Sequence, residues 1–497
     1  MAVAACTEAA IAARAGLPRG GALLFLGAAL LSSAVLLHLP AMGLAGLRRL
    51  LLRRAVVGPR GWRAWVAHGL AAGVLVWCLG VALILFADLR VFALYGFHIN
   101  GFVWNLVFTP GGIESLGAGR ATWVTTGGLF LLYSLLFAAL VAAARWSAAH
   151  NRPRFRLSPV LAVACLGLVA AERTAYAIGH ARGQQAMVMA VDAVPFYTPI
   201  SARSLASRFG IGGHMAQDLD AISRLDYPKE PLKVDPGARA LDVIWLVSES
   251  LRSDMLDPEI MPATWAFSQQ AARFEQHTSG GNGTRMGMFS QFYGVPGTYW
   301  FSFLEERRGP VLLEHLLARG YDVHVSTSAK FTYPEFDQTI FADLPRAKLK
   351  EFGRGQGFER DRAAVDAMVA YLEQPSATPR FVFHFFEGPH APYSFPPEDA
   401  IRRPYPVDVD YATLEPGIDR DGLWNRYVNA CHSLDGQLAR VIDALKRTGA
   451  LERSIVVITG DHGEEFMEHG HWGHGSSFAK EQVSVPLVVR IPGSSVA

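Results

Sequence analysis

Ser454-Ile-Val-Val-Ile-Thr-Gly-Asp461-His462-Gly-Glu464-Glu465 joins a short β-branched run to an abrupt cluster of carboxylates and an imidazole. The first part has the composition of a strand buried on both faces, and the second has the chemistry of a site. The same arrangement recurs upstream. Asp242-Val-Ile-Trp-Leu-Val-Ser248 runs into Glu249-Ser250, and Arg380-Phe-Val-Phe-His-Phe-Phe386 runs into Glu387-Gly388-Pro389-His390. Strands are predicted over Asp242–Ser248, Tyr321–Ser326, Arg380–Phe386, Ser454–Thr459 and Val485–Ile491. Helical patterns over Thr264–Phe274, Val311–Ala318, Ala363–Leu372 and Leu423–Thr448 alternate with them. Such alternation predicts an α/β domain with a largely parallel sheet, in which ligands collect beyond the carboxyl ends of the strands.

The strand ends are rich in metal-ligating types, and His462, His469, His471 and His474 crowd into thirteen residues. Clusters of His with Asp and Glu suit zinc or manganese, while an oxygen-rich set also accommodates magnesium. Between the first two strands lies Thr278-Ser-Gly-Gly-Asn-Gly-Thr284-Arg285, followed by the helical pattern Met286-Gly-Met-Phe. A hydroxyl that ends a glycine-rich loop ahead of a helix is sterically open, with backbone N–H groups facing an incoming anion.

The 497 residues carry 46 Lys+Arg against 44 Asp+Glu, and this near-balance is a cancellation. Residues 1–173 hold 15 Arg, no Lys and four acids, net +11, whereas residues 174–497 are net −9. The apolar composition excludes a disordered polyampholyte, and the acidic larger part argues against a nucleic-acid partner. Gly20–Gly46, Ala64–Ala87 and Ala121–Ala144 carry no charge, and each is long enough to cross about 30 Å of hydrocarbon as a helix. A fourth crossing is predicted over 157–178, although Glu172–Arg173 interrupts it. Arg48, Arg49, Arg53, Arg54, Arg60 and Arg63 fill the first connection, and Arg145, Arg152, Arg154 and Arg156 fill the third. Those connections are expected on the cytoplasmic side, which with four crossings puts both the N-terminus and the C-terminal domain on the outer face; were 157–178 not to span, that domain would be cytoplasmic instead.

The predicted organisation is therefore a membrane section over 1–179 with helices near 20–46, 64–87, 121–144 and 157–178, a proline-spaced linker over 180–240, and a catalytic domain over 241–497. Met1–Arg19 reads as a short tail or as the remains of a segment preceding the first helix. The loop Leu89–Gly112 is aromatic (Phe92, Tyr95, Phe97, Phe102, Trp104, Phe108), as in an interfacial belt or a lipid-contacting platform. Cys6, Cys78 and Cys165 belong to the membrane section, and Cys431 alone cannot form a disulfide within the outer domain.

Three ordered motifs carry a resemblance: Asp242-Val-Ile-Trp-Leu-Val-Ser-Glu249-Ser-Leu-Arg-Ser-Asp, the Gly-x-Thr284 loop, and Thr-Gly-Asp461-His462-Gly-Glu. Together they resemble the alkaline phosphatase/sulfatase superfamily, and within it the lipoteichoic acid synthase and phosphoethanolamine transferase branch. Phe97-His98-Ile-Asn100-Gly-Phe-Val-Trp104-Asn-Leu and Ser279-Gly-Gly-Asn-Gly-Thr-Arg-Met-Gly-Met-Phe-Ser-Gln-Phe-Tyr-Gly294 are similar to the YejM/PbgA-type inner-membrane sulfatase-like proteins.

The resemblance implies a metal shell of Glu249, Thr284, Asp461 and His462, with Thr284 also the nucleophile. It implies that His474 contacts the transferred phosphoryl group, with His390 a second contact; Arg285 either clamps a phosphate or faces solvent. His384 is expected to point into the core. No Cys-x-Pro-x-Arg formylglycine site is present, since Cys431 sits in Asn-Ala-Cys-His, and sulfate ester hydrolysis is disfavoured. The resemblance also implies a further membrane helix and a C-terminal extension beyond Ala497.

The expected function is that of a multi-pass protein of a bacterial inner membrane with a periplasmic domain. It would be a metal-dependent phosphotransferase or phosphatase acting on phosphoryl groups of envelope lipids or glycans. The alternative is a lipid-sensing regulator of lipopolysaccharide and phospholipid homeostasis built on the same fold. In that reading the aromatic loop and Arg48–Arg63 would hold anionic lipids or a membrane-protein partner on the cytoplasmic side.

Overall fold

The computed structural model describes residues 21–53, 61–150, 159–181, 191–199, 225–235 and 237–494. The predicted tail Met1–Arg19, Cys6, Arg54, Arg60, Arg152, Arg154, Arg156 and the greater part of the 180–240 linker lie outside the described residues. Two units form: residues 1–102 with 124–221, and residues 103–123 with 222–497.

The N-terminal region contains helices α1 (Gly21–Arg53), α2 (Trp62–Tyr95), α3 (Gly101–Phe108), α4 (Arg120–His150) and α5 (Pro159–Ala181). Three of them contain stretches long and apolar enough to cross a membrane: Leu24–Leu52, Trp62–Tyr95 and Arg120–Ser147. Each extends past its uncharged run, because a helix satisfies its own backbone and continues through the headgroup layer at little cost. α2 stops at Gly96, whose φ of 73° places it in the left-handed region while its N–H caps Phe92 O at 2.9 Å. α1 and α2 lie side by side, and Trp77 Nε1–H donates to Leu37 O across them at 2.8 Å.

The predicted fourth crossing is a helix, α5, which carries Glu172 and Arg173 and is not among the three candidate spans found in the described residues. Both charges are buried within the unit. Tyr197 Oη–H donates to Glu172 Oε1 at 2.6 Å, and Arg173 donates to Ser33 Oγ at 3.3 Å while stacking over the Tyr197 ring.

The second unit is built on a seven-stranded sheet of order β2-β9-β6-β1-β5-β3-β4. Its strands are β1 (Asp242–Ser248), β2 (Ala272–Arg273), β3 (Asp322–Thr327), β4 (Leu349–Glu351), β5 (Arg380–Phe386), β6 (Ser454–Gly460) and β9 (Leu487–Arg490). A separate hairpin pairs β7 (Glu465–Phe466) with β8 (Trp472–Gly473). The five strands of the central ladder, β6 to β4, are mutually parallel. β9 and β2 run antiparallel at the edge.

Two predicted elements differ. The helix expected over Thr264–Phe274 ends at Ser268, and Ala272–Arg273 instead takes edge-strand hydrogen bonds from β9. The last strand is shorter than Val485–Ile491, because Pro486 has no N–H to give the ladder.

Helix α6 (Thr284–Tyr293) packs on the sheet through Phe289, Phe292 and Tyr293. The Phe292 ring stacks on Trp245 of β1 at 4.7 Å and meets Phe383 of β5 edge-on at 5.2 Å. α7 (Gly357–Leu372) opens with a Gln356/Glu359 capping box, and α8 (Pro416–Arg447) opens with Pro416 in its first turn. Both are longer than their apolar cores, which is why the sequence pattern caught only their C-terminal portions.

Candidate metal centre

β1 and β6 are adjacent and in register, with Ser248 opposite Gly460, so Glu249 and Asp461 leave the sheet side by side. Ser250 then adopts φ 59°, a left-handed conformation that L-residues seldom take. This turn aims its N–H at Asp461 Oδ1, 3.1 Å away. The His462 N–H donates to the same oxygen at 2.8 Å. Among the described residues, Asp461 Oδ2 is enclosed without a hydrogen-bond partner, 3.4 Å from His462 Nε2. Burial, and then the neighbouring Glu249 charge, push the Asp461 carboxyl well above the usual range. A lone ionised oxygen there calls for a cation.

α6 brings the fourth group. Gly287 lies so close to the end of β6 that a Cβ on it would stand 2.1 Å from Asp461 O. That approach sets Thr284, the first residue of α6, over the strand ends. Its Oγ1 lies 3.1 Å from Glu249 Oε1 and 3.2 Å from His462 Nε2. His462 Nδ1–H donates to Gly463 O at 2.8 Å, which leaves the Nε2 lone pair facing the cluster. Burial, reinforced by His474, holds this imidazole well below its ordinary pKa and therefore neutral.

The separations of 3.1, 3.2 and 3.4 Å match the edges of a ligand tetrahedron, which measure roughly 3.3 Å for metal–ligand bonds of about 2.0 Å. Glu249, Asp461 and His462 also offer ligand atoms that all lie within 4.8 Å of one another. The donor set and the orphaned Asp461 oxygen fit a divalent metal ion.

His474 stands beside this cluster, its ring 4.2 Å from that of His462 and 5.6 Å from that of His390. The His390 Nε2 is 3.5 Å from Glu249 Oε1. Glu464 is a residue that sequence reasoning quoted without giving it a role. It is almost fully buried and accepts His474 Nδ1–H and Tyr393 Oη–H, each at 2.7 Å. Burial opposes the charge on both members of the pair. Even so, Glu464 lowers and His474 rises relative to their ordinary values, because each lies against the other. The signal available in sequence was the Asp-His-Gly-Glu spacing, with His474 ten residues beyond.

Arg285 does not face solvent. It is buried, and its Nε and Nη2 form a two-pronged pair with Glu335 at 3.0 and 2.9 Å. His384 is buried in β5 with Nδ1 2.9 Å from Ser326 Oγ. His469 pairs with Glu481 on the surface at 2.9 Å, outside the cluster. Among the described residues Cys78, Cys165 and Cys431 are all free thiols.

Comparison with known proteins agrees with this architecture. An uncharacterised protein of Haemophilus influenzae is 24% identical over 415 residues, covering 82% of this chain and 63% of that protein. The inner membrane protein YejM of Salmonella typhimurium is 23% identical over 428 residues, covering 83% of this chain and 65% of that protein. The chain thus spans less than two thirds of the length of these curated relatives. Among solved structures, the integral membrane lipooligosaccharide phosphoethanolamine transferase A (EptA) of Neisseria meningitidis superposes with a TM-score of 0.53. That match has 15% identity and covers 95% of this chain and 88% of that one, a likeness of fold. A domain of unknown function, DUF3413, matches residues 62–234. The Sulfatase family profile matches residues 242–497, just over half of the sequence, and the chain belongs to that family.

Proposed function

We propose that this chain is a membrane-anchored, metal-dependent enzyme that transfers or hydrolyses phosphoryl-containing groups of envelope lipids or glycans, with Thr284 as nucleophile. The observation that carries the reading is the convergence of Thr284 Oγ1, Glu249, His462 Nε2 and the unpartnered Asp461 Oδ2 at the ends of β1, β6 and α6. These four residues would hold the cation. When bound, a divalent ion there lowers the pKa of a coordinated hydroxyl and neutralises charge on phosphoryl oxygens. Thr284 Oγ forms a bond to phosphorus as the bond to the leaving alcohol breaks and that alcohol takes up a proton. An acceptor hydroxyl or water then forms the new P–O bond and releases Thr284. His474, oriented by Glu464, and His390 are the groups placed to meet phosphoryl oxygens or the leaving group. A threonine at the nucleophile position favours phosphoryl over sulfuryl substrates.

The catalytic domain is placed on the outer face of an inner membrane. Arg48, Arg49 and Arg53 at the end of α1 and Arg63 at the start of α2 support that orientation. α5 would supply the fourth crossing, a reading supported by Glu172 and Arg173 turning their charges onto Tyr197 and Ser33 within the unit.

The test uses the purified full chain with elemental analysis and a phosphodiester turnover assay. Thr284→Ala is expected to lower kcat by about 10³-fold or more with metal retained, and the pair Asp461→Ala and His462→Ala to lose the metal. Protein that binds no divalent metal, or unchanged turnover in Thr284→Ala, would sink the reading.

A further inference from the structure

The segment between α2 and α4 is flanked in sequence by two apolar spans, yet residues 103–123 belong to the unit that carries the site. Its contacts fall beside the proposed site residues. Asn105 on α3 accepts a hydrogen bond from Arg285 Nη2 at 2.5 Å, and Arg285 is the next residue after Thr284. Glu335 holds the other side of the same guanidinium, with the Tyr333 and Phe301 rings 5.1 and 6.0 Å from it. Gly117, at φ 61°, sits so tightly on the loop after His390 that a Cβ would lie 2.5 Å from both Ala391 O and Pro392 Cδ. Thr122 Oγ1 completes the seam, donating to Val409 O at 3.2 Å and accepting from Tyr411 N–H at 3.1 Å. The segment therefore touches the chain next to the nucleophile and next to His390.

Six of its other residues are apolar and exposed, Trp104, Val107, Phe108 (to 77%), Ile113, Leu116 and Trp123, with the charged Glu114 and Arg120 exposed among them. The Trp104 and Phe108 rings stack at 5.7 Å, one helical turn apart on α3. Chain continuity with two membrane spans commits these residues to one occupant, the lipid surface. Aromatic side chains settle at the headgroup level of a bilayer, where one end is apolar and the other wet.

We propose that residues 103–123 are a lipid-seated positioning element of the site, which adapts it to phosphoryl headgroups presented in a bilayer. Trp104 and Phe108 contact lipid, while Asn105, from the same helix, fixes Arg285 and thereby the first turn of α6. Gly117 fixes the loop that carries His390. This rests on the phosphoryl-transfer reading above and adds to it where the substrate is held and what aligns the nucleophile.

The experiment uses the full chain reconstituted in vesicles of phosphatidylethanolamine and phosphatidylglycerol. Turnover is measured with a lipid phosphodiester in the same vesicles and with a soluble aryl phosphodiester, and hydrogen exchange is followed over residues 284–293. Asn105→Ala is expected to lower kcat on both substrates by about tenfold or more. Soluble-substrate KM and metal content should stay unchanged, exchange in the first turn of α6 should rise, and Asn105→Asp, which keeps the acceptor, should restore both readouts. Trp104→Ser with Phe108→Ser should lower lipid turnover by a similar factor and leave soluble turnover intact. Wild-type kcat and exchange in Asn105→Ala would overturn the positioning role. Equal losses on both substrates in the aromatic double variant would overturn the lipid seat. A wild type inactive on both substrates would strike at the phosphoryl-transfer reading instead, and the exchange measurement would still decide whether Asn105 positions α6.

Discussion

Glu464 has no solvent to share its charge with, and it spends both oxygens on fixing others: one takes the His474 Nδ1 proton and the other the Tyr393 hydroxyl. Replacing it with glutamine leaves one acceptor for two donors, so His474 loses its fixed tautomer. Glu464→Gln is expected to lower kcat by about 10–100-fold while the metal bound by Glu249, Asp461 and His462 stays in place. Metal lost in parallel with activity would instead make Glu464 a ligand. Ser250 illustrates the complementary case, in which the backbone does the aiming. Its left-handed φ of 59° points an N–H at Asp461, and neither its side chain nor its spacing announces that role.

At the scale of elements, the site depends on how closely α6 approaches the end of β6. Gly287 permits that approach, and an added methyl group would have to push the helix away from a backbone carbonyl at 2.1 Å. Gly287→Ala is expected to destabilise the fold by about 1–3 kcal/mol and to reduce kcat further than that loss accounts for, since Thr284 rides on the same helix. Thermal unfolding and turnover on one preparation check it, and a variant of wild-type activity would mean that α6 can shift without moving Thr284. The glycine-rich loop before α6 is also tied at its far end. Asn282 Nδ2–H donates to Ser477 O at 2.8 Å and Gly475 N–H donates to Asn282 O at 2.8 Å, so the His474 loop is tied to the loop that leads into Thr284.

For the whole molecule, a metal ion held by the cluster of Glu249, Asp461 and His462 would couple binding to folding. An ion that binds only the folded state stabilises it by about 2.7 kcal/mol at a hundredfold excess over Kd. Chelation of the full chain is therefore expected to lower Tm by a few degrees and to abolish turnover, with both restored by zinc or manganese. An unchanged Tm would mean that the four donors are held in place by the protein alone. The charge division along the chain has its counterpart here, with an Arg-bearing helical region followed by an acidic unit whose carboxylates include those of the cluster.

Local pattern was enough for the α/β class, the five principal strands and the membrane-spanning character of 20–46, 64–87 and 121–144, because burial on both faces and the thickness of hydrocarbon leave a periodic or compositional trace. The candidate cluster was legible in part: strand ends in a parallel sheet collect chemistry, which drew attention to Glu249, Asp461 and His462, whereas their reading as a metal shell came from the resemblance of the motifs around them. The edge strand Ala272–Arg273 and the reversed direction of β9 left no such trace, since two residues have no periodicity and strand direction is a property of the connection. Arg285 stayed ambiguous because its partners, Asn105 and Glu335, lie 180 and 50 residues away. Only the packing of residues 103–123 within the unit that carries the sheet decided that pairing, for a buried guanidinium must find acceptors wherever the fold places them.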